Sequence, residues 1–269
     1  MRNLLKHGGR EVEAVSATYS HYDAQGRAVL NGLAVLSIIV LVVMRPVAQP
    51  LGYHAFHDAR TLFGVPNFWN VVTNLPLLAV GVWALHWLRY ESGNLKTVAW
   101  VAYGVMFAAV AASGVGSAYY HWSPDNSALV WDRLPIAIAA CALYCAVLAE
   151  RVSERVGGRL LLPLLLIAVV SVVYWAMVDD LRPYLWAQFF PVLVIPVMLL
   201  LFPPRYSRGR DIMLALGLYA VAKGFELADG AIFSYGHVMA GHALKHLFAA
   251  AAAVVILRML MLRQPVHAP

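Results

Sequence analysis

The stretch TVAWVAYGVMFAAVAASGVGSAYYH, residues 97–121, decides the fold. From Thr97 to Tyr119 it holds no Asp, Glu, Lys or Arg, and its apolar residues run on without alternating. A helix of roughly 20 such residues crosses the hydrocarbon core of a bilayer. A barrel strand is shorter and alternates apolar with polar positions, so the pattern and the abundance of Ala predict a membrane helix. Working outward, seven further stretches read the same way, at about 28–44, 68–88, 129–149, 160–178, 184–202, 211–230 and 239–262. The whole chain agrees, since 61% of its 269 residues are hydrophobic and only 13% are charged. The expected fold is all-α: a polytopic membrane helix bundle over residues 1–269. It has a seven-helix core at 68–262, one extra N-terminal transmembrane helix at 28–44, and a cytoplasmic N-terminal segment at 1–27.

A signal peptide would explain the first apolar stretch differently. Its positive flank is long for that, however, and no small-residue cleavage site follows Met44, where the chain continues Arg45-Pro46. The stretch is therefore read as a retained helix peripheral to the bundle. The breaks between segments are short and carry Pro, Gly or polar residues, as in Glu91-Ser92-Gly93-Asn94, Pro124-Asp125-Asn126 and Pro203-Pro204. No repeat, charged tail or second domain stands out.

Orientation follows from Lys and Arg in the short loops. Lys223 and Lys245 lie inside helices; of the other basic residues, only Arg45, Arg60, Arg133 and Arg182 fall on one side. The majority on the opposite side predicts that both termini are cytoplasmic. Short loops point to a bacterial inner membrane. The net charge of +6 is then loop bias and attraction to anionic headgroups, and no nucleic-acid partner is needed. No Gly-rich phosphate loop appears. Cys141 and Cys145 sit four apart on one helical face and read as small packing residues.

Against this background a few polar residues call for explanation, because a polar group at membrane depth must be paired, wetted or bound to something. With the topology above, Ser117 and His121, Asp132, and His242 and His246 all lie toward the outer, extracytoplasmic side, on the third, fourth and eighth helices. His242 and His246 share a helical face, as do Ser117 and His121. Three imidazoles suit zinc, which takes neutral nitrogen ligands tetrahedrally and in catalytic sites leaves one position to water. Asp132 is then placed as general base toward that water. Ser117, with no relay of its own, is placed as a hydroxyl that positions the oxyanion or the water. On residues alone other readings stay open: the histidines can satisfy one another, line a water channel, hold haem or relay protons.

The runs Gly116-Ser117-Ala118-Tyr119-Tyr120-His121, Val130-Trp131-Asp132-Arg133-Leu134-Pro135 and Gly241-His242-Ala243-Leu244-Lys245-His246 resemble the alkaline ceramidases. These belong to a superfamily of membrane hydrolases that includes the adiponectin-type receptors. Asn67-Phe68-Trp69-Asn70-Val71-Val72-Thr73-Asn74-Leu75 is similar to the start of that family's first core helix. The resemblance implies seven core helices, zinc on His121, His242 and His246, and Ser117 and Asp132 as the remaining catalytic pair. It also implies hydrolysis of the amide of an N-acylated sphingoid base, with a ceramide-like membrane lipid as partner. The alternatives are a hydrolase of another lipid amide or ester, and a receptor or transporter with a structural zinc. Animal members carry an acidic calcium-binding stretch before the first core helix. Here that stretch holds His54, His57, Asp58, Arg60 and Asn67, so a calcium site of that design is not expected.

Four further expectations concern polar residues around this set. His54, His57 and Asp58 form an interfacial loop or a gate over the pocket, with a second metal site as the lesser reading. Lys223, Glu226 and Asp229 share a face of the 211–230 helix as a buried ion-pair network, or else bind a polar headgroup. Arg133 goes to the interface or a lipid phosphate. Lys245, on a different face from the histidines, snorkels or pairs with Glu226. Trp69, Trp122, Tyr184 and Trp186 read as an interfacial aromatic belt.

Overall fold

The computed structural model describes residues 24–90 and 97–266. Most of the N-terminal segment and the Glu91–Asn94 loop lie outside the described residues. Helix α1 is Ala24–Val43. The core continues with α2 (Phe68–Val72), α3 (Leu75–Tyr90), α4 (Val98–Trp122), α5 (Asn126–Arg151), α6 (Glu154–Val178) and α7 (Arg182–Leu201), then α8 (Gly209–Leu227), α9 (Asp229–Gly236) and α10 (Gly241–Leu262). There is no β-sheet among the described residues, only two isolated bridges.

Seven of these helical stretches are long and apolar enough to cross a membrane, counting α2 and α3 as one, and the chain is an integral membrane protein. The eighth expected stretch is helix α8, which carries Arg210, Asp211, Lys223 and Glu226 and so falls outside that count by composition alone. It packs along α10, which is how a helix with intramembrane charges is accommodated. Two boundaries also shift. The first core helix breaks at Thr73-Asn74 into α2 and α3, and α8 stops at Leu227, so Asp229 begins a separate short helix.

The helix starts are set by local chemistry. Thr97, Asp125 and Ser153 each accept a backbone N–H of the first turn, from Trp100, Ala128 and Val156, as N-caps do. Helix α10 begins after Ala240, which offers no such group. Asp229 supplies it from outside, accepting the His242 N–H at 2.6 Å.

Helix α5 is the axis of the bundle: it packs on α4, α6 and α7, and 72% of its apolar window is buried. Helices α3 and α8 flank α10, which closes the bundle. The α4–α5 approach is closest where the polar residues sit. Pro135 has no N–H, which leaves the Trp131 carbonyl without its helical donor, and Gly116 presses against that carbonyl so tightly that a Cβ would run into it. Helix α1 lies at the periphery, with 11% of its window buried. It is tied to α7 by Trp186 Nε1 donating to Ser37 Oγ at 2.9 Å and by Arg182 donating to the Leu41 and Met44 carbonyls.

The ends of the helices pair in two separate sets. Glu150 with Arg263, Arg151 with Phe202 and Val98 with Glu154 join one end. Val47 with Asp180 and His57 with Asp229 join the other. These are the two sides that an alternating path of spans requires.

Candidate metal and hydrolytic site

His121 sits in the last turn of α4, one turn beyond Ser117; His242 and His246 occupy the first two turns of α10; Asp132 lies in the second turn of α5. All five are buried. The three imidazoles converge, with ring centroids 4.8 Å apart for His121 and His242, 5.0 Å for His121 and His246, and 5.3 Å for His242 and His246. One potential ligand atom from each lies within 4.8 Å of the others, the one such cluster among the described residues.

His121 is wholly enclosed, and neither ring nitrogen has a hydrogen-bond partner. Leaving a buried polar atom unpaired costs about 1–3 kcal/mol, a cost that a coordinated cation removes. His246 is pre-set for the same task. Thr73 Oγ1 gives its proton to the Trp69 carbonyl at 2.6 Å, so at 2.9 Å it can only accept from His246 Nδ1. That bond fixes the tautomer and leaves Nε2 as the acceptor, which the Ser117 hydroxyl approaches at a long 3.5 Å. His242 Nε2 receives the Lys245 ammonium at 2.8 Å, which keeps it unprotonated. A metal ion and that ammonium compete for the same lone pair. Neutral nitrogen donors, with one imidazole otherwise orphaned, fit a divalent metal.

The segment between α1 and α2 covers this cluster. Phe56 packs against His121 and His242, with ring centroids 4.7 and 5.1 Å apart. His54 holds the Tyr120 hydroxyl at 2.9 Å and Asn126 at 3.0 Å, and Asn67 Nδ2 donates to the His121 carbonyl at 2.9 Å. His57 bonds Asp229, the residue that caps α10, and Asp58 is paired with Arg60. The expected cover over the pocket is present, and its histidines gather no second metal cluster among the described residues. Burial, with the negative charge of Glu226 adding to it, raises the Tyr53 phenol above its ordinary value, so Tyr53 stays protonated beside the cavity.

That cavity measures about 190 Å³. Ser117, Asp132, His246, Tyr53, Glu226 and Lys245 line its polar end. It continues past Val110 and Met106 on α4, Ala139 and Leu143 on α5, and Ala252 and Ile256 on α10, roughly 15 Å at 1.5 Å per residue. Asp132 faces this space with no hydrogen bond donated to it by a described residue. A polar head with a metal-competent triad, opening on an apolar tube, is suited to a lipid chain carrying one reactive polar bond.

Four expectations are corrected. Arg133 is not interfacial. It is buried, donates to Gln49 Oε1, and lies over the rings of Trp175, Tyr184 and Tyr53, its Cζ being 4.0 Å from the Trp175 centroid. Tyr184 leaves the aromatic belt, being buried in this cage and against the cavity. Lys245 does not turn away from the histidines, since three residues on from His242 it is a helical neighbour. Asp229 does not join Lys223 and Glu226, because the chain has turned out of α8 before it. Lys245 does pair with Glu226, at 3.1 Å. Sequence reasoning missed Thr73, Phe56, Asn67 and Asp229 as supports. Thr73 appeared only within the Asn67–Leu75 stretch, with no role of its own, and Phe56 not at all.

Fold and site together define a polytopic helical membrane protein with a buried histidine triad beside a largely apolar cavity. The sequence model of the ceramidase family matches residues 63–208. This is more than half of the chain, and the protein belongs to that family. The matched region holds Ser117, His121 and Asp132 and ends before α8, so His242 and His246 come from beyond it. No curated protein matches the chain.

Proposed function

We propose that this protein is a zinc-dependent intramembrane amidase that splits a ceramide-like N-acyl sphingoid lipid into a fatty acid and a free long-chain amine. Family membership supports a ceramide-hydrolysing activity and a lipid substrate. The observation that carries the rest is the unpaired, fully buried His121 imidazole grouped with His242 and His246, of which His246 lines the polar end of a largely apolar cavity. A zinc ion on three neutral imidazoles supplies a Lewis acid and brings the pKa of a water to about 7.

The chain's own groups have distinct tasks. Thr73 holds the His246 ring in its ligating tautomer. Asp132 takes the proton from the attacking water and returns it to the leaving amine. The Ser117 hydroxyl, beside His246, orients the water or donates to the oxyanion. Phe56 and the segment that carries it shield the histidines from bulk water, and the apolar walls hold the chains. The whole chain is read as one membrane unit. The excess of basic residues in the loops opposite the site supports a reading with both termini in the cytoplasm and the site on the extracytoplasmic side.

The test is metal analysis of protein purified without chelator, joined to incubation with an N-acyl sphingoid lipid. About one zinc per chain is expected, with fatty-acid release by the native chain and little by His242→Ala or Asp132→Ala. Equal release by all three overturns the mechanism, and absence of zinc overturns the metal.

A further inference from the structure

Lys223 and Glu226 on α8 and Lys245 on α10 line the same cavity as Ser117, Asp132 and His246. Glu226 is shared: one oxygen pairs with Lys223, and the other is 3.1 Å from Lys245 Nζ. The cluster thus sets two cations against one carboxylate, and a structural ion pair needs only one of them. Neither lysine forms a salt bridge to Asp132, the other carboxylate lining the cavity, which sits on α5. With a dication on the three neutral imidazoles, which would more than offset Asp132, the polar head of the cavity would be net positive. Keeping a surplus ammonium at membrane depth is costly, and an anion brought in by a ligand relieves that cost.

We propose that Lys223, Glu226 and Lys245 recognise an acidic group on the substrate, so that among N-acyl amines, ceramide-like lipids included, this chain prefers those bearing a carboxylate, sulfonate or phosphate close to the scissile amide. The inference rests on the amidase reading above and names its substrate class. Lys245 stands between His242 and His246 on α10 and lines the cavity with His246, so the acid must be within a few bonds of the carbonyl under attack. Glu226 fixes both ammoniums in place, and the ammonium, a compact point charge, accepts any of the three acids. Tyr219 adds a donor: its oxygen accepts from Gln188 Nε2 at 2.5 Å, which leaves its own O–H free at the cavity wall.

The test is equilibrium binding to the full chain in detergent, read by thermal stabilisation, with N-palmitoyl serine and N-palmitoyl serinol. The pair differ only in carboxylate against hydroxymethyl. The expected result is at least tenfold tighter binding of the serine form. That preference should fall to about one in Lys223→Gln, and should widen in Glu226→Gln, where both lysines are released. Equal binding of the pair by the native chain overturns the inference. So does a preference that neither substitution moves, with Glu226→Gln deciding alone where Lys223→Gln does not fold. Free palmitate binding as tightly as the serine form, with no preference within the pair, assigns the cluster to the released fatty acid and also overturns it. The same pair is then assayed for hydrolysis: a binding preference without acyl release sinks the amidase reading and leaves the anion site standing.

Discussion

Thr73→Val is the sharpest probe of whether the triad is a metal centre. The substitution keeps the shape of the side chain and removes one acceptor. In the native chain Thr73 Oγ1 sits 2.9 Å from His246 Nδ1, buried at the break between α2 and α3. Its proton is committed to the Trp69 carbonyl, which also receives the Thr73 backbone N–H, so valine leaves that carbonyl still bonded. What is lost is the partner of the imidazole N–H. Loss of such an outer partner lowers metal affinity about 10–100-fold, or about 1.4–2.7 kcal/mol. An unpaired buried N–H also costs about 1–3 kcal/mol of stability in the metal-free protein. The assay is zinc competition against a chelator on purified protein, with Thr73→Ser as the conservative control. Thr73→Val should weaken zinc by one to two orders of magnitude, and Thr73→Ser should stay close to native. Affinity in Thr73→Val within twofold of native refutes the assigned tautomer and the role of His246 as a ligand.

Asp132→Asn should retain the metal but lower kcat by about 10²–10⁴-fold, the usual contribution of a positioned base; zinc content and turnover are measured on the same sample, and loss of zinc instead would make Asp132 a ligand. Gly116→Val should prevent folding, because its side chain meets the Trp131 carbonyl at the α4–α5 contact; a native elution profile and circular dichroism spectrum would show that the two helices are not pressed together there. Hydrogen bonds from Arg182 hold the Asp180 carboxyl at about 2, below its ordinary 3.8. A depressed carboxyl stabilises the fold above its unfolded pKa, and that contribution is lost as pH falls through the folded value. Thermal unfolding of the native chain should therefore weaken between about pH 4 and pH 2, and Asp180→Asn should be less stable at neutral pH and flatter over that window.

The fold was legible because a bilayer imposes length and hydropathy directly on the sequence. The apolar runs around 97–119 and 129–149 fall inside α4 and α5, with errors of a few residues at the ends. Helix α8 shows where that rule thins. Its apolar residues read as a span, yet Lys223 and Glu226 become intelligible only once α10 is beside it and supplies Lys245. The convergence of Ser117, His121, Asp132, His242 and His246 was readable from i, i+4 spacing plus alternation of helix direction, since both are fixed by regular geometry.

The supports of the site were not readable, and the reason is physical. Asp229 and His242 are joined by a cap that crosses the α9–α10 turn, Thr73 reaches His246 from another helix, and Phe56 descends from a segment without regular structure. None of these pairings has a period, because each depends on how a loop folds back. Arg133 is the most instructive case. A charge beside the site and near a helix start suggests a lipid phosphate, but three aromatic faces and Gln49 stabilise the cation internally. In doing so Arg133 draws the segment after α1, through Gln49 and Tyr53, against α5 and α7. The same segment carries His54 and Phe56 onto Tyr120 and His121. The cover over the triad is thus held by a buried cation on a helix that carries none of the three histidines, so substitution of Arg133 should act on the site through Phe56 rather than through any contact with the histidines.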